Sequence, residues 1–350
     1  MNITTGWLGV YLSHHGPHFG ERWQRTPSNV PSSSRQEPQT PLAAVACLDS
    51  CCTPNLLSHH MPRKKTLTRM DPRSYPRPHR KRVLIIKMTE TVASELWVVR
   101  WEYAPGDCLD SRRIAGIVRA PHGSIRLNRL GRIGIAIADT FSQAVVNHCE
   151  SRRTPISCTK GCGACCRDAV PLSPPEAWMI RDLVQSLPSA ERERVQGRFL
   201  DARESLRKHG LEQEPLLSLG GGYFRVGIAC PFLHQECCSI HPDRPSVCRE
   251  HLVHSPPHLC LDPENAIEFA PIPVRISECL AWVAGTALGT APTFIPVVRA
   301  LDWAADDEEE GRRRWESLSL VESLLHRIGA RILDVGKQTA ETRCPADFAY

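Results

Sequence analysis

The sequence predicts a mainly α-helical fold carrying a small cysteine-bearing β-hairpin (α+β), a metal-stapled single domain behind a disordered leader. Three observations predict it. Apolar residues recur at helical spacing in several segments between Ile133 and Ile332. Eight of the sixteen cysteines fall between Cys158 and Cys248. Residues 1–87 are rich in proline, serine and basic residues and show no sustained apolar period.

The leader is set apart by charge as well as pattern. Residues 1–87 hold 13 Lys and Arg against 4 Asp and Glu, whereas residues 88–350 hold 30 against 34. The body is therefore mildly acidic, which argues against nucleic acid as its partner, because phosphate contacts need clustered cations. Stretches such as Pro27–Ser34 and Pro72–His79 bury too little apolar surface to offset the entropy of ordering. Met88 opens a segment of different character, so the leader is read as a stretch that translation could omit. The first twenty residues lack the basic start and unbroken apolar core of a signal peptide. That points to a cytoplasmic chain with reduced thiols. The charge-free run Cys279–Val298 is interrupted by Pro292 and Pro296 and reads as a buried helix entering a loop, not a membrane span. The expected organisation is a folded body over 88–350, with a cysteine-cluster module at 150–262 and a C-terminal helical region at 263–336.

The elements follow in order. Leu96–Tyr103 is aromatic and β-branched and reads as an antiparallel strand. Ile133, Ile137, Phe141 and Val145 share a helical face that ends before the first cysteines, and His148 and Cys149 at its end read as structural. Ser173-Pro-Pro-Glu176 is a helix start, with a Ser cap, prolines in the first turn and Glu at the third position. A second, more polar helix runs from Ser189 and closes at Gly210. Glu176, Asp182 and Glu204 read as surface charges on these helices. Gly220–Gly222 is a turn without the Gly-Lys-Ser/Thr of a phosphate loop. The following Tyr223–Cys230 reads as strand, feeding a hairpin with cysteines on both arms. The clearest stripe is the last, Leu318, Val321, Leu325, Ile328 and Ile332, with Gly336 beyond it.

Thiolate is the preferred ligand of zinc and of iron–sulfur clusters, and such sites gather cysteines at turn-compatible spacing. Cys162-Gly-Ala-Cys165 supplies the two-residue gap that turns both sulfurs towards one centre. Adjacent Cα atoms lie about 3.8 Å apart, under the roughly 4.4 Å lower end for ordinary disulfides. Cys165–Cys166 and Cys237–Cys238 are thus poor internal bridges. The candidate metal ligands are Cys158, Cys162, Cys165, Cys166, Cys230, Cys237, Cys238 and Cys248, with Cys237 the first to be spared. His241 and His251 are further nitrogen candidates and Cys260 an outside one. Cys47, Cys51 and Cys52 in the leader have no complement of other ligands and are set aside. Neighbouring side chains diverge, which limits a single mononuclear site. One four-ligand centre, two such centres and a polynuclear cluster are all compatible with the spacing.

The motif Cys158-x3-Cys162-x2-Cys165-Cys166, then Cys230-Pro-Phe-Leu, then Cys238-Ser-Ile-His-Pro-Asp-Arg-Pro-Ser-Val-Cys248-Arg249 resembles the bacterial YkgJ-type cysteine-cluster family. The resemblance covers about residues 150–255 and implies chelation of zinc or iron. It departs at His241, where the family often has Tyr. In this motif Arg244-Pro245 reads as the turn that returns Cys248 to the hairpin, and Arg249 as a cation that neutralises thiolate charge. A related branch includes flagellin lysine N-methylase, which implies methyl transfer from S-adenosylmethionine to a protein lysine. The chain has no strand–Gly-x-Gly–helix unit of the usual methyl-donor fold. The functional expectation is a metal-binding protein whose cysteine cluster holds zinc or iron, an iron–sulfur cluster included, for a structural, storage, delivery or sensing role. The alternatives are an iron–sulfur enzyme and a metal-stiffened protein-interaction module. No catalytic residue is assigned: there is no Gly-x-Ser-x-Gly elbow.

Overall fold

The structure is a computed structural model and describes residues 95–338. The leader expected over 1–87, with its three cysteines, lies outside the described residues. The expected α+β class is found: helices dominate, accompanied by small antiparallel sheets.

Strand β1, Leu96–Tyr103, is the antiparallel strand anticipated, with Val99 and Trp101 buried. It pairs antiparallel with β2, Ile114–Pro121, and a two-residue strand β3 follows at Ser124–Ile125. Helix α1, Leu127–Ser151, lays Leu130, Ile133, Ile137, Phe141 and Val145 on the sheet, and Trp101 stacks on Phe141 at 5.8 Å. Strand β4, Pro171–Leu172, leads into α2, Pro174–Ser186, which starts at the expected capping box. The polar helix α3, Ser189–Lys208, then turns Val195, Phe199 and Leu206 inward.

Residues 221–226 form a short helix, α4, where a strand was expected. Gly220 and Gly227, both at positive φ, isolate one helical turn there, and its β-branched content is too short a signal to prevail. The hairpin is accordingly small: β5 is Leu233–His234 and β6 is Cys237–Cys238. Cys230 precedes the hairpin, so only one arm carries cysteines. Helix α5, Ser246–Glu250, holds Cys248, and α6, Ile276–Leu288, is the buried helix anticipated within the charge-free run. Strand β7, Ile295–Pro296, pairs with β4. Helices α7 (Ala300–Asp306) and α8 (Glu308–Arg312) carry the acidic-basic block, and β8, Trp315–Glu316, pairs with β3.

Helix α9, Ser317–Ile328, buries Leu320, Val321, Leu324, Leu325 and Ile328. Ile332 and Gly336 do not continue it. Gly329 at φ 79° ends the helix in the left-handed conformation, and Arg331–Gln338 becomes β9, the third strand of the sheet β2-β1-β9. Glu204 is a surface charge paired with Arg207, but Glu176 is fully buried, contrary to the surface expectation.

Two apolar clusters result. One joins β1, β2, α1, α6 and α9; the other joins α2, α3, Tyr223, Phe232 and the residues around β7. Among the described residues no helix is long and apolar enough to cross a membrane.

Candidate metal centre

Four short segments bring the cysteines together, and local hydrogen bonds explain how each is held. After α1, Ser157 donates its backbone N–H to the carbonyl of Val253 at 2.9 Å, and the Cys158 thiol points at the His251 carbonyl at 3.6 Å. Gly161 at φ 95° allows the chain to wrap, and Cys162 N–H closes the turn on Thr159. Residues Ala164–Arg167 then form a single 3-10 turn. In that turn Cys165 and Cys166 stand side by side, and their thiols interact electrostatically.

The second segment is spliced directly onto the first. Cys230 N–H donates to the Cys166 carbonyl at 2.7 Å, and Leu233 N–H returns to the Cys230 carbonyl at 2.8 Å. The hairpin turns through Gln235 and Glu236, both at positive φ. Its tip lies against Gly163: a methyl group there would stand 2.6 Å from Leu233 Cδ1 and 2.8 Å from the Glu236 carbonyl. Arg167 fixes the same contact, pairing with Glu236 at 2.5 Å while its other nitrogen donates to the Gly163 carbonyl. Gly163 thus serves close approach of the hairpin.

The third segment, α5, is clamped by two buried carboxylates. Glu176 accepts from Ser173 N–H and hydroxyl within its capping box and, with its other oxygen, from Ser246 N–H at 2.7 Å. It therefore caps two helices at once. At the far end of α5, Glu250 accepts from the N–H and hydroxyl of Ser277 at 3.0 and 2.6 Å, tying α5 to the start of α6. Burial pushes the Glu250 carboxyl up to about 7, against the opposing pull of Ser277. Arg249 pairs with Asp139 and donates to the carbonyls of Arg244 and Pro242. Cys248 is thereby anchored to α1, α2 and α6.

Seven of the eight cysteines anticipated as ligands are free thiols, and Cys237 is disulfide-bonded. Cys166 lies within electrostatic range of the thiols of Cys165, Cys230, Cys238 and Cys248. Cys158 lies within the same range of Cys162 and Cys165. Cys260, treated as an outsider on spacing, stands on the 3-10 turn Pro257–Leu261 and faces both Cys158 and Cys162. That turn packs on the Ala164–Arg167 turn. The signal for Cys260 in the sequence is only its position twelve residues past Cys248; the docking of the two turns is a tertiary fact. His241 is half-buried beside Arg244, and the ring of His251 packs edge-on to Phe269 at 5.3 Å. Cys149 is buried in the first core, consistent with its structural reading.

The electrostatics differ from thiol to thiol. The interaction with Cys165, aided by Arg167 and Arg244, holds the Cys166 thiol below its usual range, and the same interaction together with burial holds Cys165 well above. Burial raises Cys230, Cys238 and Cys248, and neighbouring thiols add to the effect. Among the described residues no three Cys, His, Asp or Glu side chains already stand as a set of ligands for one ion. In kind, though, the donors suit a borderline-soft cation: they are sulfur, and the carboxylate facing Cys166, Glu236, is taken by Arg167.

The described residues form a helical protein with a cluster of free cysteines drawn from several segments. Residues 157–267 match the family model CxxCxxCC, putative zinc- or iron-chelating domain, a span that begins just before Cys158 and includes Cys260. The match covers well under half of the chain. No curated protein matches the chain, and no solved structure does.

Proposed function

We propose that the chain is a reversible thiolate chelator of zinc or iron whose scaffold folds ahead of its metal. The observation that carries this reading is the convergence on Cys166 of free thiols from separate segments, each held by hydrogen bonds and apolar packing that need no metal. The residues proposed to hold it are Cys158, Cys162, Cys165, Cys166, Cys230, Cys238, Cys248 and Cys260, with Cys237 spared. A bound ion would supply the positive charge that lets buried thiols ionise, and each thiol that ligates would give up a proton. Closure round an ion would require rotation of the thiols about χ1, because among the described residues no three of them already stand as ligands for one ion.

Support for reversible handling over a purely structural role comes from the two apolar clusters. Both are built from residues outside the thiol set, and the cysteines pack only on their margins. A structural zinc site in a small domain usually replaces such a core. All eight proposed ligand residues lie at intermediate exposure, near the margins of the fold and not in its apolar centre.

The test is elemental analysis and an ultraviolet–visible spectrum of the full chain purified without oxygen, beside Cys166→Ser and Cys279→Ala. Stoichiometric zinc or iron in the wild type and in Cys279→Ala, with severe loss in Cys166→Ser, is the expected result. Metal retained in full by Cys166→Ser would contradict the reading centred on Cys166. Acid-labile sulfide with a visible band that bleaches on reduction would replace a simple chelate with an iron–sulfur centre.

A further inference from the structure

We propose that a cleft with no cysteine in its wall binds a zwitterionic amino acid with an aromatic side chain, its carboxylate on Arg299 and its ammonium at Asp306. The inference does not depend on the chelating reading.

Arg299, Asp302, Trp303 and Asp306 stand at i, i+3, i+4 and i+7, the spacing that gathers side chains on one side of a helix. Residues 300–306 are α7, and these four side chains help to enclose a cleft of about 530 Å³ with the end of α3, the loop after it and the chain entering β7. That volume lies within the roughly 300–1,000 Å³ of small-ligand sites. Leu206, Phe294 and Pro296 supply apolar wall. Trp303 lines the cleft as well and packs on Trp178, with ring centres 5.0 Å apart, so an aromatic surface is fixed before any ligand arrives.

The charges in the wall are sorted by depth. Arg299 is half-buried, whereas Glu212, Asp302 and Asp306 are exposed. Arg299 Nη2 donates to the carbonyls of Leu211 and Glu212 at 2.8 and 2.7 Å, which fixes the guanidinium. Its Nε and Nη1 donate to no group of the described residues, and no carboxylate among them pairs with it. A guanidinium held in this way, with donors to spare, suits a carboxylate. Asp302 is met by Arg203 at 3.6 Å, but Asp306 has no ion pair among the described residues. A simple anion would reach Arg299 only past three carboxylates, and a simple cation would meet a fixed positive charge inside. A molecule that carries both charges satisfies each, and an aromatic side chain answers Trp303 and Phe294.

The test titrates the full chain calorimetrically with L-phenylalanine, beside 3-phenylpropionate, which lacks the ammonium, and phenethylamine, which lacks the carboxylate. Phenylalanine should bind saturably, and each analogue about tenfold more weakly, the scale of one lost charge-assisted hydrogen bond. Asp306→Asn should weaken phenylalanine about threefold, as loss of an exposed charge pair does, and leave 3-phenylpropionate unchanged. Arg299→Gln should remove the preference for phenylalanine over phenethylamine. Thr293→Trp fills the cleft from an exposed position whose hydroxyl bonds only to the nearby Ala291 carbonyl, so it should abolish binding with the melting temperature unaltered. A wild type that binds none of the three, or that binds 3-phenylpropionate as tightly as phenylalanine, would overturn the proposal. So would a folded Thr293→Trp variant that binds phenylalanine like wild type.

Discussion

The apolar scaffold and the thiol module are built from the same chain by different means. In the scaffold, β1, α1, α6 and α9 meet through large side chains such as Trp101, Phe141, Leu280 and Leu325, all buried. In the module, segments of two to five residues are joined by single hydrogen bonds, a hairpin tip seated on Gly163, and two buried carboxylates. The scaffold resists change because it is full. The module has local precision but contributes only the margins of the apolar clusters. The difference teaches that one region takes its shape from packing and the other from single polar contacts.

The most damaging way to break this comparison is at Glu176, where scaffold and module share one carboxylate. Glu176→Ala should cost about 3 kcal/mol, since it leaves the buried N–H of Ser246 without its partner and removes the α2 cap. Denaturant unfolding gives the number, and a cost near zero would remove the clamp from the account.

The second concerns pH and the far end of α5. Burial raises Glu250 from 4.5 to about 7, so its contribution to stability is fully present below 4.5 and is lost as pH rises through 7. His251 has the opposite sign: burial, then Arg275, lowers it from 6.5 to about 4, so its contribution is present above 6.5 and lost as pH falls through 4. Glu250→Gln removes only the first dependence. Relative to wild type it should gain somewhat under 3 kcal/mol between pH 5 and pH 8, since each pH unit by which a carboxyl is displaced on folding is worth about 1.4 kcal/mol. Parallel stability curves for the two proteins over that range would refute the assignment.

A smaller effect is expected at the hairpin seat. Gly163→Ala places a methyl group against Leu233 and the Glu236 carbonyl, and should cost about 2 kcal/mol, a typical overpacking penalty. Because the strain falls on the module, metal retention should suffer more than global stability. The smallest effect is expected at Cys279→Ala in the scaffold. It should cost about 1 kcal/mol and leave the metal content unchanged.

Much of the scaffold was legible in the sequence because its signals are local. The alternation of Leu96–Tyr103, the helical spacing of Ile133 to Val145 and the Ser173–Glu176 box each announce an element within one or two turns. Misreadings arose where a local pattern was brief or was overruled. Tyr223–Val226 looks like strand but is a turn of helix bracketed by glycines, and Ile332 fits the last stripe but lies beyond Gly329 in β9. Ile332 owes its place to pairing with Trp101, 231 residues earlier, which no periodicity reports. In the site, the cysteine motifs were plain, but their mutual arrangement was not. The contact of Cys165 with Cys166 depends on a 3-10 turn. The nearness of Cys260 to Cys158 and the second cap made by Glu176 depend on segments about 100 and 70 residues apart meeting in space.

The claim that the scaffold folds ahead of its metal is tested most directly by stripping the full chain with a chelator under reducing conditions and following thermal unfolding by circular dichroism. The account predicts that the stripped protein keeps its helical signal and a cooperative melt, lowered by an amount that depends on added zinc or iron and is restored by it. Loss of the helical signal on chelation, regained only with metal, would contradict it and make the ion a structural staple.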